Sequence, residues 1–240
     1  GVSVCGMENN MKFTEGYWLL SERTNGQFAS QAYHIEAMEN GLRVVAPTSP
    51  VLSRGDTLNR PTITIEFLAV SPEVISVRAW HYEGYRTGEA RFEKKETTCD
   101  AVVTITENEA VLDAGRVSVH VDRKNWGYSF WADGKLLTSS GFHNLGYVRW
   151  DKRVSSMLPQ DNYMKEHEYT PYMTQDLLLA PGENVYGFGE RFTAFVKNGQ
   201  AVETWNEDGG TASQVAYKNI PFYMTNRGYG VFVDHTGNVS

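Results

Sequence analysis

The stretch Thr62-Ile63-Thr64-Ile65-Glu66-Phe67 alternates strictly, with Ile63, Ile65 and Phe67 on one side and Thr62, Thr64 and Glu66 on the other. A period of two belongs to a strand with one face in a core and the other in water. Working outward, the pattern returns in Val74 to Trp80, where Ile75, Val77 and Ala79 oppose Ser76 and Arg78. It returns again in Ala101 to Thr106, and in Arg116 to Asp122 with Val117, Val119 and Val121 inward. Turn-forming residues separate these runs at Ser71-Pro72-Glu73, Asn108-Glu109, Ala114-Gly115 and Asp133-Gly134. Asp-Gly is a favoured two-residue hairpin turn, so Tyr128 to Ala132 is expected to pair with Lys135 to Ser139. No run of about 12 residues carries a 3.6-residue apolar period, and only Asn162 to Glu168 reads as a short helical segment. Strands at short intervals without intervening helices predict an all-β fold, an antiparallel β-sandwich with very little helix.

Composition narrows the function classes. The 240 residues are 41% hydrophobic and 21% charged, enough apolar material for one sizeable core. The expected organisation is one domain over residues 11–240, preceded by GVSVCGMENN, which has no periodicity and reads as a tail or a cloning remnant. The net charge of -7 reflects 29 acidic against 22 basic residues, and basic pairs such as Lys94-Lys95 are too isolated to follow a phosphate backbone. Nucleic acid is therefore not an expected partner. No apolar run approaches the roughly 20 residues of a membrane helix, and Gly1 to Asn10 lacks the basic start and apolar middle of a secretion signal. A cytoplasmic location without a membrane partner is the expectation. Cys5 and Cys99 have no metal-ligand spacing and are too few for a disulfide framework, so both read as free thiols. His34, His81, His120, His143, His167 and His235 show no HxH or HxxxH spacing, and neither metal nor cofactor is expected. His120 alternates with Val119 and Val121 and should face solvent; His81, after Trp80, should close a strand.

The texture changes from Tyr186 onward. Gly187, Gly189, Gly209, Gly210, Gly228 and Gly230 punctuate shorter apolar runs, of which Phe222-Tyr223-Met224 reads as a buried strand. A loop-rich end on a rigid sandwich suits binding. Glycosidic cleavage needs two facing carboxylates. Glu190, Glu203, Glu207 and Asp208 lie in this third, but 29 acidic residues make chance clustering expected, and no catalytic residue is assigned. Gly187-Phe188-Gly189-Glu190 lacks the third glycine and following helix of a phosphate-binding turn, and no GxSxG nucleophile motif is present. Glu203 to Thr211 does suit a sugar: the Trp205 indole can stack on a pyranose, and the Asp208 carboxylate can accept from vicinal hydroxyls. An equally good reading has Trp205 plugging the sandwich and Asp208 capping the Gly209-Gly210 turn.

Val185-Tyr186-Gly187-Phe188-Gly189-Glu190-Arg191-Phe192-Thr193-Ala194 resembles the YG-[FL]-GE-RF motif of glycoside hydrolase family 31. Lys197 to Gln200, Val202 to Asn206, Asp208 to Thr211 and Ala216 to Val231 resemble the matching stretch of bacterial α-xylosidases. Weaker similarity reaches back to Met11-Lys12 and Gly16-Tyr17-Trp18-Leu19, leaving only the first ten residues outside. The resemblance implies an amino-terminal sandwich of the galactose-mutarotase-like kind, followed by a (β/α)₈ barrel that carries both catalytic aspartates. It further implies a sandwich loop that lends substrate-binding residues: Asp208 as the loop aspartate, with Asn206 and Trp205 before it and Gly209 and Gly210 after it. The implied partners are an α-xyloside or α-glucoside oligosaccharide and the catalytic barrel of the parent chain. The implied activity is that of a retaining α-glycosidase releasing non-reducing terminal α-linked xylose, with this fragment inactive alone. Gly209 and Gly210 replace the bulkier hydroxyl residues of some α-glucosidases in the family and favour the xylosidase branch. Three alternatives stay open: the same domain of an α-glucosidase, a free-standing carbohydrate-binding module, and a purely structural domain that stabilises its parent or assembles it into a homo-oligomer.

Overall fold

The computed structural model describes residues 14–15, 19–20, 24–49, 52, 61–81, 99–151, 169–190, 193–200, 202 and 218–235. The chain divides into two compact units, one of residues 20–86 and 95–178 and one of residues 1–19, 87–94 and 179–240. Two short strands, β1 (Thr14–Glu15) and β2 (Leu19–Leu20), pair with each other.

The larger unit is two antiparallel sheets. The first has the order β4 (His34–Met38), β5 (Gly41–Pro47), β6 (Thr62–Ser71), β7 (Val74–His81). The second runs β13 (Tyr169–Leu177), β12 (Lys135–Asp151), β11 (Gly127–Ala132), β10 (Val117–Asp122), β9 (Glu109–Asp113), β8 (Val102–Ile105), and β3 (Thr24–Phe28) pairs with the far half of β12. No helix occurs among the described residues. The expected hairpin is present: Asp133 and Gly134 both adopt left-handed φ, +51° and +74°, which gives the primed turn whose twist matches the flanking strands. The Pro72 carbonyl, in the β6–β7 turn, accepts from the amides of Arg116 and Val117 at 2.9 and 3.0 Å, joining the edge of one sheet to the other.

The alternation that marked β6 is the alternation of the core. Ile63, Ile65 and Phe67 are fully buried, and they meet Leu112, Val119 and Val121 from the opposite sheet. The Phe67 ring lies edge-on to Tyr128 at 5.4 Å and to Phe130 at 6.2 Å, an arrangement aromatic quadrupoles favour. Each such apolar side chain contributes about 1.5–3 kcal/mol by leaving water. Burial also pushes the Tyr128 phenol well above its usual pKa, while its oxygen accepts from Gln175 Nε2 at 3.0 Å. Ile75, Val77 and Ala79 pack partly buried against this core, as their alternation predicts, and His81 ends β7 with its ring stacked on Tyr147.

The outer face of the first sheet is a charge ladder. Cross-strand register aligns Glu36, Arg43, Glu66 and Arg78, one from each strand in turn. Arg43 donates from Nε to Glu66 Oε1 at 2.8 Å and from Nη1 to Glu36 Oε1 at 2.6 Å. Opposite charges facing across strands favour this register. Glu66, outward by its alternation, is nonetheless buried to 7% exposure. Cys99 is a buried free thiol donating weakly to the Ala114 carbonyl at 3.4 Å. Cys5 and the helical reading of Asn162 to Glu168 fall outside the described residues.

The smaller unit holds the sheet β14 (Val185–Gly187), β15 (Phe222–Thr225), β16 (Gly230–Phe232), all antiparallel. The change of sequence texture at Tyr186 falls inside it. Phe222-Tyr223-Met224 is a strand, as expected, but it is not a buried one. Phe222 and Tyr223 are half-buried and Met224 is 51% exposed. The reason is that Tyr186, Phe222, Met224 and Phe232 share one face of a three-stranded sheet, and the described residues of the unit leave that face open.

Candidate functional site

The glycine-rich motif builds a backbone cradle at the end of β14. Gly187, Phe188 and Gly189 take consecutive positive φ values of +134°, +67° and +83°. Two of these positions are glycines, for which the conformation is easy; Phe188 between them is held in a region that bulky residues avoid. Such strain persists where surrounding bonds over-determine it. Here the Phe188 amide donates to the Phe222 carbonyl, and the Glu190 amide to the Lys218 carbonyl, each at 2.9 Å. The two glycines also permit close approach. A Cβ at Gly187 would lie 2.5 Å from the Phe222 carbonyl oxygen, and a Cβ at Gly189 would collide with the Lys218 carbonyl oxygen. The motif spacing is thus explained by chain against chain: residues 187–190 bend so that Lys218 and Phe222 can lie against them.

Side chains clamp the free edge of β14. Asn198 Oδ1 accepts from the Val185 amide at 2.8 Å, and its Nδ2 donates to the Glu183 carbonyl at 2.8 Å. The Lys197 amide donates to the Val185 carbonyl at 2.8 Å. Residues 197 and 198 therefore satisfy the strand edge as a neighbouring strand would. Asn226 repeats the device one residue earlier, accepting from the Asn184 amide at 3.0 Å and donating to the Gly182 carbonyl at 3.1 Å. Lys197, buried, donates from Nζ to Thr193 Oγ1 at 2.8 Å and to the Ala194 carbonyl at 2.7 Å. Glu183 is buried at 3% exposure and accepts from the Ala180 amide at 2.7 Å. Burial works to raise its pKa, but the Ala180 amide, the nearby Tyr229 and Thr225 hydroxyls and the charge of Arg227 outweigh it and hold the carboxyl below the usual range.

This cradle holds the Lys218 end of the segment that carries the sequence-derived binding residues. The segment leaves at Val202 and returns at Lys218, whose carbonyl the Glu190 amide holds. Trp205, Asn206, Asp208, Gly209 and Gly210 themselves lie outside the described residues, as do Glu203 and Glu207. Glu190 is exposed and sits in the cradle by its backbone. Among the described residues no group of three His, Cys, Asp or Glu side chains could hold a metal. His120 lies on the outer face of β10, half-buried, with Nε2 3.2 Å from Ser118 Oγ. Sequence reasoning missed Asn198 and Asn226 as the residues that brace the backbone leading into the cradle, because side chain to backbone bonds across 13 to 44 positions leave no periodic trace.

The fold is that of an all-β domain, with two antiparallel sheets in one unit and, in the other, a three-stranded sheet built round a glycine motif. Residues 63–240 match the glycosyl hydrolase 31 N-terminal galactose mutarotase-like domain. The chain is 39% identical to the α-xylosidase XylQ of Lactiplantibacillus pentosus, over 96% of this chain and 28% of that protein. It is 35% identical to an α-xylosidase of Emericella nidulans, over 96% of this chain and 30% of that one. The fold is shared with the GH31 dextranase of Flavobacterium johnsoniae solved with isomaltotriose, with a TM-score of 0.61 and 17% identity over 88% of this chain and 23% of that one. The chain belongs to glycoside hydrolase family 31, as its amino-terminal galactose-mutarotase-like domain. It spans less than a third of the length of the curated relatives it matches.

Proposed function

We propose that this chain is the amino-terminal domain of a retaining α-glycosidase that releases terminal α-linked xylose, and that its part is to hold the 203–217 loop against the sugar. The observation that carries this reading is the cradle itself. Glycines, strained Phe188 and the Glu190–Lys218 bridge are all spent on fixing where that loop returns. The identity to two α-xylosidases supplies the substrate class. In this reading the two catalytic carboxylates belong to the barrel of the parent chain, one as nucleophile and one as acid/base. The open face of Tyr186, Met224 and Phe232, with Phe195 beside Tyr186 at 5.2 Å and 80% exposed, supplies apolar surface for docking on the parent chain. Asp208 accepts hydrogen bonds from the sugar hydroxyls, Trp205 and Asn206 flank it, and Gly209 and Gly210 leave room beside it. This binding acts on the transition state rather than on the bond itself.

Hydrolysis of paired p-nitrophenyl α-xyloside and α-glucoside by the full-length parent and by this chain tests the reading. Turnover by the parent alone, with xyloside preferred, is expected, and Asp208→Ala in the parent should lower kcat/KM roughly tenfold or more, about 1.4 kcal/mol of transition-state binding, with the fold intact. Preference for glucoside would assign the α-glucosidase branch instead, and turnover by the isolated chain would overturn the accessory role.

A further inference from the structure

The outer face of the second sheet carries a groove that the loop reading does not use. Two adjoining shallow depressions, of about 320 and 660 Å³, lie open on this face. Trp131 and His120 border both, so this pair of rings forms the wall between them. The rings lie 5.7 Å apart, tilted at 51°. Register explains the placement: Ser118 and Trp131 are cross-strand partners, as are His120 and Ser129, and all four point away from the core that Val119, Val121 and Tyr128 fill.

The polar groups here are fixed rather than loose. Trp131 Nε1 donates to Ser129 Oγ at 2.8 Å, which holds the indole against its own strand. His120 Nε2 lies within hydrogen-bond distance of Ser118 Oγ at 3.2 Å, and its Nδ1 lies 3.6 Å from a Glu109 carboxylate oxygen. Asp113 lines the smaller depression and Glu109 the larger. An aromatic wall flanked by carboxylates, hydroxyls and an imidazole matches a pyranose, whose C–H face packs on a ring while its hydroxyls donate to carboxylates. Carboxylates outnumber cations in the lining, Asp113, Asp133, Glu109 and Asp122 against Arg116 and Lys124, which disfavours an anionic ligand.

We propose that this groove is a second carbohydrate-binding site, taking a neutral oligosaccharide with successive pyranose rings on either side of the Trp131–His120 wall. The ligand class rests on family membership; the site is independent of the 203–217 loop. Its function is to keep the enzyme on a glycan whose chain end is processed elsewhere.

Affinity electrophoresis of the full-length protein in gels containing xyloglucan, dextran or amylopectin tests this, because such polymers offer many internal rings and few of the ends an exo-acting site would bind. Retardation is expected in at least one polymer, and it should persist at about 1 M salt, where charges are screened within about 3 Å. Trp131→Ala should abolish the retardation while leaving kcat/KM on p-nitrophenyl α-xyloside and the thermal midpoint unchanged; Trp131→Phe should restore part of it. Asp208→Ala should be retarded like the wild type, which separates failure of this site from failure of the loop reading. No retardation in any polymer, or equal retardation of Trp131→Ala and wild type, would overturn the proposal.

Discussion

The amide of Glu190 donates to the carbonyl of Lys218 at 2.9 Å, and that same carbonyl occupies the space that a Cβ on Gly189 would need. Hydrogen bond and close approach are one contact seen from two sides. The glycine at 189 is required both for its φ of +83° and for the absence of a side chain.

Gly189→Ala should therefore cost more than backbone conformation alone. A left-handed alanine costs about 1–2 kcal/mol, and the displaced Lys218 carbonyl adds the loss of its bond to Glu190, about 1 kcal/mol more. Gly199→Ala is the control, since φ is +74° there but nothing lies within 4 Å of the added Cβ. Thermal unfolding should rank Gly189→Ala well below Gly199→Ala, and kcat/KM of the parent should fall only for the former. Equal destabilisation by the two variants would remove the packing half of the argument.

The core prediction is simpler. Ile65 is fully buried between the sheets, so Ile65→Ala should destabilise the larger unit by about 2–4 kcal/mol through lost transfer energy and the cavity left behind. Val102, 64% exposed on edge strand β8, should tolerate alanine within about 0.5 kcal/mol. Denaturant unfolding of the two variants compares them directly; a Val102→Ala cost matching that of Ile65→Ala would contradict the burial assignment.

Much of this was legible in the sequence for one physical reason: a strand with one buried face must alternate. Ile63, Ile65, Phe67, Val119 and Val121 stand where alternation puts them, and Asp133-Gly134 turns as its composition requires. The rule was less informative where burial has another cause. Glu66 obeys the alternation and still loses its solvent, covered by its pairing with Arg43. Phe222 to Met224 failed in the opposite sense, since an apolar run says that a strand wants cover without saying whether its own unit provides any. The cradle was recognisable as a motif, but its mechanics were not. The bonds from Asn198 and Asn226 to the backbone of residues 182–185 join residues 13 to 44 positions apart and follow no period.

The charge ladder predicts an asymmetry between its members. Arg43→Met leaves the carboxylate of Glu66, with a side chain only 9% exposed, without its main donor, whereas Glu36, 42% exposed, keeps its water. An uncompensated buried charge is costly, while two well-packed apolar residues in its place can be neutral. Arg43→Met should lower the thermal midpoint more than Glu36→Gln does, and adding Glu66→Leu to Arg43→Met should recover most of the loss. A double variant less stable than Arg43→Met would show that the pair stabilises the sheet beyond its charges.

Glu183 sets an acid limit on the smaller unit. Its pKa in the folded chain lies below the ordinary value of 4.5: burial works to raise it, but the Ala180 amide, the nearby Tyr229 and Thr225 hydroxyls and the Arg227 charge outweigh that. The unfolded chain therefore takes up this proton more readily than the folded one. The stabilisation is fully present above pH 4.5 and is lost progressively as pH falls from there through the depressed folded value. Glu183→Gln cannot titrate, so its thermal midpoint should fall less steeply than that of the wild type below pH 4.5, although it should be lower at neutral pH, where the ionised acceptor is gone. Parallel acid profiles for the two proteins would mean that another carboxylate governs the acid limb.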